Sequence, residues 1–138
     1  MDRRKSGFTL IETLIVLMVL SALAAIAIPH YAGTKDKAFQ AAMTADLRSA
    51  AILQEQYAAE NHGQYFSGRA THDAPLNGFK PSRDVTVDFT AFNILGSQLA
   101  DWVAVARHGQ STESCEVRSG IITCTDESGL ATGVIRTR

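Results

Sequence analysis

From Phe8 to Ile28 the chain is apolar at almost every position, FTLIETLIVLMVLSALAAIAI. As a helix these 21 residues measure roughly 31 Å at about 1.5 Å per residue, enough to cross a bilayer core of about 30 Å. One ionisable side chain, Glu12, sits inside the run. Ser21, Ala22, Ala24, Ala25 and Ala27 are small and permit close helix approach. Pro29 has no N–H, so its bond to the Ala25 carbonyl is lost, and Gly33 adds to the weakness. A kink, a loosening or a break is expected over Ala25–Pro29.

From Lys35 to about Glu60 the helical pattern resumes in polar form. Phe39, Met43, Leu47, Ala50, Leu53 and Tyr57 fall within an arc of about 120° at 100° per residue, the stripe of a helix packed on a core. Asp46 and Gln54 lie in the same arc and blunt the pattern; Ile52 lies opposite. Asn61-His62-Gly63 is a helix stop.

Residues 66–84 are rich in Gly, Pro, Asn, Asp and Ser and read as a loop with room for one short element. In Val85–Phe92, Val85, Val87, Phe89 and Ala91 share one face, which predicts a strand. Asp101–Arg107 is a second strand, apolar on both faces and therefore central. Leu130–Arg136 supplies a last strand.

Cys115–Cys124 predicts a short hairpin. With Ser119-Gly120 as a two-residue turn, Arg118 faces Ile121, Val117 faces Ile122, Glu116 faces Thr123 and Cys115 faces Cys124. Pairs alternate away from the turn, so the cysteines form a non-hydrogen-bonded pair with a Cα separation of about 4.5 Å, within disulfide reach. Cys115, Val117, Ile122 and Cys124 then share a face. The expected role of the bridge is to hold the edge of a small head.

Composition adds little until charge is located. The 138 residues carry a formal charge of −1. Arg3, Arg4 and Lys5 outweigh Asp2 before the apolar run, so the remainder is more acidic than the whole. Basic residues before the span predict a cytoplasmic amino terminus and an exported carboxyl end. The acidic remainder argues against a general nucleic-acid binder. Cys115 and Cys124 are the two cysteines, and on an exported domain they pair. Beyond leader and span about 110 residues remain, enough for one small domain.

Lys5-Ser6-Gly7-Phe8-Thr9-Leu10-Ile11-Glu12 resembles the class III signal of type IV pilins and of type II secretion pseudopilins. The resemblance implies cleavage after Gly7 by a dedicated peptidase, N-methylation of Phe8, and an assembly role for Phe8 and Glu12. It also implies a proline kink at Pro29 and a helix running into a globular head. Residues 56–65 are similar to the helix exit of many major pilins. Ile52 then becomes a candidate filament contact, although one exposed Ile needs no explanation.

Two plainer readings compete. An ordinary secretory signal peptide would have a basic n-region and a cleavage site after Ala25-Ile26-Ala27. Against it, Glu12 would fall inside the h-region and the apolar run is long. A plain single-pass anchor would make Glu12 an accident near the interface. The carboxylate costs a few kcal/mol or more in hydrocarbon, so a role is the default expectation. A cation relieves that cost. The Phe8 amine of an incoming subunit is one; the same chain's own amine, four residues away, is the internal alternative.

No enzyme is expected, and no cofactor or metal. His30, His62, His72 and His108 lack metal-ligand spacing with the cysteines and read as surface or loop positions. Asp84, Asp88, Asp126 and Glu127 offer oxygens for calcium, as in some pseudopilins, but read first as a solvated face. The expected fold is α+β: a long amino-terminal helix, membrane-spanning in its first half, packed by its second half on a small antiparallel sheet. The expected parts are a leader at 1–7, an assembly helix at 8–29, its amphipathic continuation at 30–62 and a head at 63–138. The expected function is that of a pilin, a filament subunit held in the inner membrane before assembly at the cell surface. Its partners would be identical or related pilin subunits, the prepilin peptidase and methyltransferase, and the inner-membrane assembly machinery. The alternatives are a pseudopilin or minor pilin, or a soluble secreted binding domain. Motility, adhesion, DNA uptake and secretion are not separated.

Overall fold

The computed structural model describes residues 8–93 and 100–136. The chain divides into two compact units, Met1–Lys35 and Asp36–Arg138. One helix, α1 (Leu10–Glu60), contributes to both. Among the described residues six strands follow: β1 (Gly68–Thr71), β2 (Val85–Asn93), β3 (Ala100–His108), β4 (Ser114–Arg118), β5 (Ile121–Thr125) and β6 (Ala131–Arg136). They form one antiparallel meander in sequence order.

In the first unit, helix α1 starts at Leu10 because Thr9 caps it. Glu12 N donates to Thr9 Oγ1 at 3.4 Å and to Thr9 O at 3.1 Å. The Thr13 and Ser21 hydroxyls donate to carbonyls one turn back, so these polar groups stay satisfied without water. Leu10–Ile28 is long and apolar enough to cross a membrane, and its side chains are exposed. The helix does not break at Pro29: the backbone is α-helical across Ala25–Gly33. One missing donor removes one bond, and the flanking bonds carry the helix through. At the other end it closes on Asn61–Gly63. Gly63 N donates to Ala58 O at 2.8 Å, with His62 at φ 56° and Gly63 at φ 80°. This is a Schellman closure in which histidine takes the left-handed position usually given to glycine.

In the second unit, the Asp36–Glu60 part of α1 packs on one sheet face. Met43, Leu47 and Ala50 enter a core with Val85, Val87, Phe89, Trp102, Ala104, Ala106, Val117 and Ile122. Ala104 and Ala106 of the interior strand β3 are fully buried in this core. The other face has no covering layer among the described residues: Val103 and Val105 are half-buried, in register with Arg118 and Glu116. Strand β3 is interior, as expected, but its second apolar face is not a second core.

The hairpin has the expected register, with Cys115 opposite Cys124 and Val117 opposite Ile122. Ser119 (φ 48°) and Gly120 (φ 75°) both take positive φ, as a type I′ turn requires. The cysteines are bonded, with Cα atoms 4.0 Å apart. The bridge is not at the sheet edge, where it was expected. It joins two interior strands, and both cysteines are buried facing α1, with Thr44 Oγ1 4.0 Å from Cys124 Sγ. Strand β6 lies outside the hairpin and forms the edge instead.

His108 also departs from expectation. It ends β3 on the helix side, is buried, and stacks on Phe39 with ring centroids 4.0 Å apart. Its neighbours in sequence are polar, and only the sheet register turns it inward.

Candidate functional site

The residues singled out for function fall in two places. Phe8 and Glu12 are at the amino-terminal end of the apolar helix; Cys115 and Cys124 are in the second unit. Gly7 lies outside the described residues, and so does the side chain of Pro29.

Glu12 is the only ionisable residue of Leu10–Ile28 and stands in the first helical turn. Thr9-Leu10-Ile11-Glu12 has the spacing of a capping box, with Thr at the cap and Glu three residues on. That signal is local and legible in the sequence itself. Local structure therefore tolerates an acid here, because the first turn is the positive end of the helix dipole. The position also lies at the end of the apolar segment, not at its centre. Phe8 precedes the helix, which begins at Leu10. Phe8 and the apolar side chains after it, from Leu10 and Ile11 to Ile26 and Ile28, are exposed.

The second unit is tied together by polar side chains inside the apolar stripe. Asp46 accepts from Ser82 N at 2.8 Å and from Ser82 Oγ at 3.0 Å. Gln54 is fully buried and bonds both main-chain groups of Phe66. The two residues that blunted the helical pattern are thus the ones that fasten the helix to the 66–84 loop. A buried polar group is stable only when partnered.

On the open face, Asp88 accepts from Arg69 and Arg107. The Asp88 hydrogen bond holds the Arg69 guanidinium above its ordinary value. Asp126 accepts from Ser128 N, Ser128 Oγ and Leu130 N. The Ser128 hydroxyl is the largest cause of its lowered carboxyl pKa. Two of the four acids considered for calcium are therefore engaged otherwise. Tyr65 O–H donates to Glu55 Oε1 at 3.3 Å. Burial first, then the Glu55 charge, raises the Tyr65 phenol above its ordinary value. Ile52 lines an open groove with Tyr65 and Trp102.

Residues 2–28 match the family model described as the prokaryotic N-terminal methylation motif. The chain is 40% identical over 68 residues to the type IV wide pilus major component PilA4 of Thermus thermophilus, covering 49% of this chain and 51% of that protein. It is 35% identical over 60 residues to type II secretion system core protein G of Aeromonas hydrophila, covering 44% and 42%. For the protein of the same name in Dickeya chrysanthemi the identity is 33% over 61 residues, covering 44% and 40%. The chain thus spans about half the length of the curated relatives it matches. No solved structure matches it. The methylation motif and the α+β layout agree with the resemblance read from residues 5–12.

Proposed function

We propose that this chain is a structural, non-enzymatic subunit of a type IV pilus-like filament. The observation that carries the reading is Glu12, a lone carboxylate in the first turn of a membrane-length helix, within a matched methylation motif. In this reading the peptidase cuts between Gly7 and Phe8, and the new Phe8 amine is methylated. The subunit waits in the inner membrane with its amino terminus in the cytoplasm, consistent with Arg3, Arg4 and Lys5 before the span. The assembly machinery then draws it into a helical filament of identical or related subunits at the cell surface.

The physical step is charge neutralisation in hydrocarbon. A buried carboxylate without a cation costs a few kcal/mol or more, and an incoming Phe8 amine removes that cost at one axial position only. Head-to-tail contacts that do not close then generate a filament.

The second reading is a pseudopilin, favoured by the identity to two secretion-system core proteins G. Deleting the chain from its own cell separates the two. Loss of surface filaments with normal protein secretion supports the pilin. Loss of secreted proteins with filaments intact supports the pseudopilin. Mass spectrometry of the mature protein tests both at once: a chain starting at methylated Phe8 is expected, and a start at Ile28 would overturn both in favour of a secreted domain.

A further inference from the structure

Of the three tyrosines in the chain, two are held by the second unit. Tyr57 sits edge-on to Phe66 with ring centroids 5.2 Å apart, and Tyr65 bonds Glu55. Tyr31 is different. It is 73% exposed, and among the described residues it has neither a ring neighbour nor a hydrogen bond to its phenol. It also stands at a particular place on α1. The membrane-length segment ends at Ile28, the helix continues, and Tyr31 follows within one turn. The first Lys, Arg, Asp or Glu after it is Lys35.

From Ile28 to Tyr31 the helix rises about 4.5 Å. With the hydrocarbon ending at Ile28, the Tyr31 ring lies in the headgroup layer. A phenol is best satisfied there, with its ring body against acyl chains and its O–H among water and lipid oxygens. From Glu12 to Tyr31 the rise is about 28 Å, against a hydrocarbon core of about 30 Å. One acidic and one amphipathic side chain thus mark the two ends of a single bilayer crossing. Apolar length alone does not fix depth; flanking side chains do. Between Glu12 and Ile28 nothing else arrests the helix, because the Thr13 and Ser21 hydroxyls are satisfied by carbonyls of the helix itself.

We propose that Tyr31 is the interfacial anchor of this helix: its phenol docks in the headgroup layer of a phospholipid bilayer, at the carboxyl-terminal end of the span, and so sets the depth of Glu12. The proposal rests on the reading of Leu10–Ile28 as a span. Continuity selects lipid as the occupant, since the exposed apolar side chains from Leu10 to Ile28 lead up to Tyr31 on one helix. An aliphatic side chain here would be drawn further in, and an ammonium group would be kept further out; a tyrosine is held between. With the ring at its interface, Glu12 lies at the opposite boundary of the hydrocarbon. A slide of one turn, about 5.4 Å, toward the carboxyl end would carry its carboxylate among acyl chains. A slide the other way would release it to water. Tyr31 is therefore a positioning residue for Glu12, acting across the thickness of the bilayer.

The test uses the full chain in phosphatidylethanolamine–phosphatidylglycerol vesicles, with a nitroxide on one introduced cysteine. Cys115 and Cys124 are bonded and buried and do not compete for the label. Depth is read from the nitroxide's access to oxygen, which enters hydrocarbon, and to a nickel chelate, which stays in water. Met18→Cys reports the middle of the span and should admit oxygen and exclude the chelate. Ile11→Cys reports the position next to Glu12. Tyr31→Leu lengthens the apolar run at its carboxyl end, so the helix should slide toward its amino end, and the Ile11 label should gain chelate access several-fold. Tyr31→Trp keeps an amphipathic ring and should leave that label where it was. An Ile11 label unmoved by Tyr31→Leu, with the Met18 label still in hydrocarbon, overturns the anchor and leaves the span standing. So does a Tyr31→Trp chain that shifts the label as far as Tyr31→Leu does. A Met18 label open to the chelate overturns the span, and the anchor with it.

Discussion

Gln54 and Phe66 hold each other through a reciprocal pair of hydrogen bonds. Gln54 Nε2 donates to Phe66 O at 2.8 Å, and Phe66 N donates to Gln54 Oε1 at 3.2 Å. One fully buried amide thus satisfies both main-chain groups of a residue that leaves the helix exit and enters the core.

Replacing Gln54 by Leu should therefore destabilise the head although the stripe becomes more regular. Two buried main-chain groups lose their partners, at about 2 kcal/mol or more in total. Thermal unfolding of the full chain in detergent measures this. A variant as stable as the parent would show that water replaces the amide.

Glu12→Leu should leave the chain inserted and folded but unable to enter filaments efficiently. Insertion should improve, since a charge is removed from the apolar segment. Filament yield from cells with this variant as sole subunit measures it, and normal yield removes the role given to Glu12.

Pro29→Ala should stiffen the helix locally. It restores the donor to the Ala25 carbonyl, so amides from Ile26 to Gly33 should exchange more slowly with deuterated solvent. Unchanged exchange in that window would remove the local weakness proposed at Pro29, and with it the extensibility it would lend a filament.

Removing the disulfide by paired Cys115→Ala and Cys124→Ala should lower the melting temperature of the head and leave Met1–Lys35 untouched. The cysteines are separated by 9 positions in sequence and close a loop of about ten residues, for which loop-closure entropy gives about 2.7 kcal/mol. Because both cysteines are buried, a reductant should act only as fast as the head opens. Rapid reduction of the folded protein would contradict that burial.

Much of this protein was legible along the chain. The apolar run, the Glu12 within it and the motif at residues 5–12 are local, and a span needs only length and composition. The hairpin was legible to the register, because a two-residue turn dictates every opposed pair, including Cys115 with Cys124. Strands β2 and β3 followed from alternation and apolar content. What the sequence could not decide was the environment of polar side chains. Asp46 and Gln54 counted against the helix stripe, yet they are buried in it, because partners 36 and 12 residues away reach them in the fold. His108 read as a connection and is stacked on Phe39. The disulfide was paired correctly but placed at an edge, since only the addition of β6 makes its strands interior. Hydropathy along a chain reports what each side chain prefers. Which polar groups find partners inside, and which strand is left open at the edge, depends on contacts between segments far apart in sequence, and those exist only once the sheet has formed.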